Sequence, residues 1–262
     1  MPRALALVLA ALLLAPALPA AASGCFPVAG LAPRLVPTAL EVAALPAGAT
    51  ARLTFLGHAT FLLETAGGAT AVTDFNAYVG TPLVPDIVTM NNAHDTHYTS
   101  FVPPGIDHVL RGWNPEGGEA RHDVTHLDLR VRNVPTAVHG RSGAQGNSNS
   151  MFVFEVEELC IVHLGHLHQV LTDQQLAELG VIDVVLAPVD GMWTMSHAEM
   201  VEVIRQIRPA VVIPMHYFGS AVLGRFLAEI EGEYAVELRE TPEFLLARAT
   251  LPQRTVVVLP GG

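Results

Sequence analysis

Two histidines three residues apart, His94 and His97, follow the apolar segment Asp86 to Met90 within the run Asn92-Ala93-His94-Asp95-Thr96-His97. Imidazoles at that spacing, just past a strand-like segment, are the donors from which metal centres are built. A hydrolytic metal centre needs neutral imidazoles or carboxylates that hold a Lewis acid and leave one position open for water, whose pKa then falls to about 7. One short run cannot supply all of them. Loop ends of several strands have to converge.

The elements able to do this are legible as periodicity. Arg52 to Leu56, Thr60 to Glu64 and Thr70 to Thr73 are short β-prone runs separated by Gly57-His58 and Gly67-Gly68, so they read as strands joined by tight turns. Asp86 to Met90 continues that sheet. Asp107 to Leu110, Leu127 to Val134, Met151 to Val156 and Cys160 to Leu164 form a second set. The period then changes, which predicts helices over Thr172 to Leu179, Ser196 to Ile207 and Ser220 to Ile230, with Thr172 and Ser196 as N-caps. Val181 to Ala187 and Ala210 to Pro214 lie between them as strands. The class is α/β, with two sheets face to face and helices outside.

Composition bounds the rest. With 262 residues, 50% hydrophobic and 15% charged, the chain can bury a large core. Its net charge of −11 with 14 basic side chains argues against phosphate-backbone binding, so the expected partner is a small-molecule substrate and not nucleic acid. Oligomeric state is not readable. Arg3, the apolar run Ala4 to Leu18 and the small residues Ala20 to Gly24 read as an export signal over residues 1–24, implying a periplasmic or secreted protein. The run is too short for a comfortable membrane span, which needs about 20 apolar residues. Its removal takes away Arg3 and no acid, so the charge goes from −11 to −12. Ala22-Ser23-Gly24-Cys25 is similar to a lipobox, and Cys25 is therefore either a lipid-anchor site or an ordinary residue beyond the cleavage point. Residues 25–50 read as a tether and 51–262 as the globular domain. Cys160 is expected to be a buried core thiol and not a partner for Cys25.

Six pieces in order carry a resemblance. Leu53-Thr54-Phe55-Leu56-Gly57-His58-Ala59-Thr60, Thr73-Asp74, the His94 run, Val138-His139, His163-Leu164-Gly165-His166-Leu167 and Ile213-Pro214-Met215-His216-Tyr217 resemble the motifs of the metallo-β-lactamase superfamily, most of all its ascorbate-6-phosphate lactonase-like branch. The match spans roughly residues 51 to 218. It implies an αββα sandwich of two mixed sheets with outer helices, a metal site at the end of the sheets, and hydrolysis by metal-bound water.

The resemblance also implies a ligand set. One metal takes the two His of H-x-H, the His of the third motif and a carboxylate. A second takes the Asp-His pair, the last His and the same bridging carboxylate. Carried over, this chain keeps His94, His97, His139 and His216, and has Asn92 for the first His, Thr96 for the Asp and His166 for the bridging Asp. Both carboxylates are thus replaced by neutral groups. One metal in a His-rich shell is expected, with His166 completing either His94 and His139 or His97 and His216. Zn is the default ion, and Fe, Mn, Cu or Ni suit the same donors. The general base is then Asp95, His168 or the bound hydroxide.

Asp74 is expected to orient a ligand His, or else to start a turn. His58 and Asn92 are expected behind the ligands, with His58 lining the site or closing its turn. His163 is read as structural or as supporting a ligand from behind, and His108, His122, His126 and His197 as surface or structural. Gly143 to Ser150 reads as a flexible hairpin, with Arg141 nearby to meet an anion. Trp113 and Trp193 either line a pocket or cap the core. The expected activity is hydrolysis of a lactone, ester or phosphoester. The alternatives are a non-hydrolytic member that binds a metal or ligand, and an iron or copper redox enzyme.

Overall fold

The computed structural model describes residues 44–76, 84–140 and 143–260, without the side chains of 139–147. The signal segment, Cys25, most of the tether, Arg141 and the side chain of His139 lie outside the described residues.

The chain forms two mixed sheets. The first is ordered β13-β1-β2-β3-β4-β5, from Glu243–Leu246, Ala51–Gly57, Thr60–Thr65, Thr70–Val72, Ile87–Met90 and His108–Arg111. The second is ordered β12-β14-β11-β10-β9-β8-β7-β6, from Ala235–Leu238, Thr255–Val258, Val211–Met215, Val184–Pro188, Leu159–His163, Gly143–Val156, Leu129–Gly140 and Asp123–His126. The helices are α1 (Asp173–Leu179), α2 (His197–Ile207) and α3 (Ser220–Ile230). Among the described residues no helix is long and apolar enough to cross a membrane.

The apolar runs of the second sheet divide by strict alternation. Phe152, Phe154, Ile161, Leu186, Ile213 and Met215 face the first sheet and meet Leu53, Phe61 and Leu63. Their neighbours Val153, Val162, Val185 and Val212 face outward, onto Met200, Ile204 and Phe226 of α2 and α3. Burial on both faces is why these strands read as continuous apolar runs. The outer face of the first sheet is covered instead by Phe75, Tyr98 and Trp113 over Val72, Val88 and Met90. Outer helices therefore lie on the second sheet among the described residues. Thr172 and Ser196 are the N-caps expected, each in a reciprocal capping box.

Three differences from the sequence reading have physical causes. Residues 143–150, expected as a flexible hairpin, are strand, because β7 pairs with them from Gly140↔Gly143 through Pro135↔Ser150. The strands β6, β12, β13 and β14 were not expected, the first three being short, partly exposed and held by backbone pairing more than by side-chain pattern, and β14 being a buried run of four residues, too short to show a period. Cys160 is disulfide-bonded and not a free thiol. Its place inside the apolar stretch Leu159 to Leu164 had suggested an inert core thiol, yet burial, at 1% exposure, shields a disulfide equally well.

A buried charge network joins the second sheet to α1. Glu155, with its side chain 1% exposed, accepts Arg132 Nε at 2.6 Å and Arg130 Nη1 at 3.0 Å. Arg132 in turn donates to the carbonyls of Glu178 and Leu179 at the end of α1, both at 2.7 Å. Removing one partner of such a network leaves buried charge uncompensated. Glu155→Ala is expected to lower stability by about 3 to 5 kcal/mol, measured by urea unfolding, with metal content per folded molecule unchanged. A loss within experimental error of zero would show that the network is not needed.

Candidate metal centre

The strand order fixes where loops meet. β1 and β3 both run antiparallel to β2, and β3, β4 and β5 are mutually parallel, so β1, β3 and β4 all end at one edge. In the second sheet β9, β10 and β11 are parallel. His58 follows β1, Asp74 follows β3, and the His94 run follows β4. His166, Asp190 and His216 follow β9, β10 and β11. Crevices at the carboxyl ends of strands are where open α/β sheets place ligands.

Three of these residues have left-handed backbones without being glycine: His58 at φ 54°, Asp74 at 49° and His216 at 53°. Each costs on the order of 1 to 3 kcal/mol, and such strain concentrates at functional sites. Gly165, at φ 63°, sets the approach of His166. A Cβ there would stand 2.7 Å from the side chain of Asn91, so only glycine fits.

The side chains converge. His97 Nδ1 donates to Asp74 Oδ2 at 2.5 Å, with His97 and Asp74 both 0% exposed. His216 Nδ1 donates to Asp190 Oδ2 at 3.0 Å. Each carboxylate thereby fixes the tautomer, leaving a lone pair on each Nε2. Those two Nε2 atoms face each other at 3.2 Å, and His166 Nδ1 lies 2.9 Å from His97 Nε2. Two neutral imidazoles whose other nitrogens carry the proton cannot satisfy that contact; a shared cation can.

Electrostatics point the same way. Burial pushes Asp74 up, but the electrostatic contact and hydrogen bond with His97 outweigh it and hold the carboxyl below its usual range. Asp190 is likewise held down, burial being offset by His216, Thr194 and the Met192 amide. Burial, reinforced by His97 and His216, lowers His166 far below the usual imidazole range and brings His58 to about 4. Both rings are neutral near pH 7, the state in which histidine ligates metal.

The expected residues are not all together. His97 has His166 at 2.9 Å and His216 at 3.2 Å between ring nitrogens, one ligand-capable nitrogen from each of His58, His97 and His216 lies within 4.8 Å of the others, and Asp74 accepts from His97. His94 is exposed, with Nδ1 at 3.1 Å from the Thr96 hydroxyl and its ring stacked 6.0 Å from that of His166. Asn92 is turned away, its amide donating to Ser148 O at 2.9 Å. Asp95 is exposed. The ring of His168 is 4.8 Å from that of His166. His163 links the sheets, Nε2 donating to Ala59 O at 2.7 Å while Nδ1 accepts from Gly165 N at 3.0 Å. Trp113 caps the core against Tyr98, whereas Trp193 is exposed.

Two positioning residues were not singled out from sequence. Asp190 holds His216, and Asn149 Oδ1 receives the backbone N–H of His166 at 2.9 Å. An acid directly after a buried strand, in Pro188-Val189-Asp190-Gly191, was the available signal for the first. For Asn149 there was none.

Comparison with known proteins agrees with the fold and with a metal-dependent hydrolase. The family model of the β-lactamase superfamily domain matches residues 52–216. A metal-dependent hydrolase of Methanoculleus marisnigri is 31% identical over 183 residues, covering 63% of this chain and 80% of its own. A Thermotoga maritima protein described as a Zn-dependent hydrolase of the metallo-β-lactamase superfamily is 29% identical, with TM-score 0.61 over 81% of this chain and 100% of its own. A metallo hydrolase from Ignicoccus hospitalis, at 19% identity and TM-score 0.53, shares the fold over 81% of this chain and 96% of its own. The chain belongs to the metallo-β-lactamase superfamily and stands among its metal-dependent hydrolases.

Proposed function

We propose that this chain is an exported hydrolase that uses one divalent metal, held by His97, His166 and His216, to cleave a neutral lactone or ester. The facing Nε2 atoms of His97 and His216 carry the reading. Ligands on a tetrahedral Zn at 2.0 to 2.1 Å would stand about 3.3 Å apart, close to the 3.2 Å from His97 to His216 and the 2.9 Å from His97 to His166. Charge supports a single ion. Two buried carboxylates, Asp74 and Asp190, stand directly behind the ligands and offset two positive charges; a second cation would have none.

When bound, the metal supplies a Lewis acid that polarises a carbonyl and lowers the pKa of water toward about 7. The chain supplies orientation through Asp74, Asp190 and Asn149. His168, next to His166, is the side chain we place to move a proton; Asp95 is the alternative.

The mouth favours apolar, uncharged substrates. Met192, Trp193 and Phe218 are 81%, 64% and 60% exposed. Phe218 lies 5.7 Å from the His58 ring and 5.8 Å from that of His216, and the loop bearing Met192 and Trp193 is pinned to Asp190. Loops 91–99, 164–168, 189–195 and 216–219 contain no Lys or Arg, so of the cations singled out from sequence only Arg141, two residues after His139, would be available to a phosphoester. Export is supported by the leader sequence and by the disulfide at Cys160, which an oxidising compartment preserves.

Metal analysis with turnover assays tests the reading. About one equivalent is expected, with hydrolysis of alkyl lactones or esters lost on chelation and in His97→Ala, and phosphodiesters turned over poorly. Two equivalents would sink the mononuclear claim, and a metal-free, inactive protein the hydrolase. A strongly coloured protein would bring iron or copper redox chemistry forward.

A further inference from the structure

His58 is the residue at this centre whose placement the three-ligand reading leaves unexplained. Its Nδ1 is shielded from solvent and, among the described residues, has no hydrogen-bond partner. An orphaned buried nitrogen costs about 1 to 3 kcal/mol. Its ring is centred 4.3 Å from that of His216 and 5.4 Å from that of His97, and one ligand-capable nitrogen from each of the three lies within 4.8 Å of the others. The backbone is committed to this aim. His58 is held at φ 54°, and its carbonyl accepts the amide of His216 at 2.7 Å, so the two strained turns lock one another. A phenylalanine would fill the space beside Phe218 without stranding a nitrogen.

We propose that His58 Nδ1 is a fourth protein ligand of the metal held by His97, His166 and His216. This rests on the mononuclear reading above. It gives the orphaned nitrogen its partner and explains why a bulky residue keeps a left-handed backbone at the mouth of the site. Four imidazoles also account for the carboxylates missing at positions 96 and 166: the shell is complete without them. For hydrolysis the ion would have to accept a water or substrate oxygen besides the four imidazoles.

The cobalt(II)-loaded full-length protein tests this. Replacing the ligand, as in His58→Gln, is expected to weaken Co(II) binding by about 100-fold and to shift the visible d–d bands, with His122→Gln as an unaffected control. Should His58→Gln fail to fold, pulsed EPR of the copper(II)-loaded wild-type protein counts coordinated imidazoles without any substitution. Four would support the proposal. Three, or a His58→Gln protein with wild-type affinity and bands, would overturn it while leaving the three-histidine site standing. A wild-type protein that takes up no metal would overturn the site itself.

Discussion

Asp190→Asn is expected to weaken metal binding by about 10- to 100-fold and to destabilise the metal-free protein as well. The carboxylate is fully used. Oδ2 receives the His216 Nδ1 proton at 3.0 Å and the Thr194 hydroxyl at 2.6 Å. Oδ1 receives the backbone amides of Met192 at 2.8 Å, Trp193, and Thr194 at 3.1 Å. Every group that meets Asp190 is a donor. An asparagine offers one acceptor oxygen and one NH2, so one half of this array would face a donor with a donor. If the NH2 turns to His216, the imidazole loses the partner that fixes its tautomer. If it turns to the loop, three amides lose theirs, at about 1 to 3 kcal/mol for each group left buried and unpaired. Either way the ligand and the apolar loop loosen together. Metal titration followed by thermal unfolding of the metal-free form reads both. Wild-type values for both would show that Asp190 does not orient the site. Asp74→Asn provides a contrast: it is expected to impair binding through His97 and leave the Met192–Trp193 loop intact.

That double duty also shows where sequence reading stops. Strands such as Met151 to Val156 were legible because each side chain is buried on one face or the other. Helix starts were legible because Thr172 and Ser196 sit three residues before Gln175 and Glu199, a purely local arrangement. The His94 run was legible as chemistry because its donors are close in sequence. The centre itself is not local. The His97 to His216 contact spans 119 residues and that of His97 to His166 spans 69. Which histidine meets which depends on how β4, β9 and β11 end beside one another. The resemblance left two partnerships open for His166; its Nδ1 lies 2.9 Å from His97 Nε2, a contact no local pattern announces. Asp190 escaped notice because an acid before a glycine is an ordinary turn residue; its role exists only once β10 and β11 lie side by side. The Cys160 disulfide had the same origin, since burial predicts where a thiol sits and not whether it is bonded.

If the replaced carboxylates and histidine are what limit this chain to one ion, restoring them should admit a second. The triple variant Asn92→His, Thr96→Asp, His166→Asp is expected to bind about two divalent ions where the wild type binds one. Each change has a definite job. At position 92 an imidazole must leave the contact with Ser148 O that Asn92 now makes. At position 96 a carboxylate would stand where the Thr96 hydroxyl now meets His94 Nδ1 at 3.1 Å, supplying the Asp of the Asp-His pair. At position 166 the aspartate supplies a charge both ions can share. Two dications a few Å apart repel strongly in a buried site, so the carboxylates at 96 and 166 must act together. His166→Asp alone is therefore expected to keep a single, weaker ion, because the first site still lacks its imidazole at 92 and the second loses an imidazole and gains no charge at 96. Metal analysis after exhaustive dialysis separates the cases. One ion in a folded triple variant would mean that backbone placement, not the missing side chains, sets the metal count.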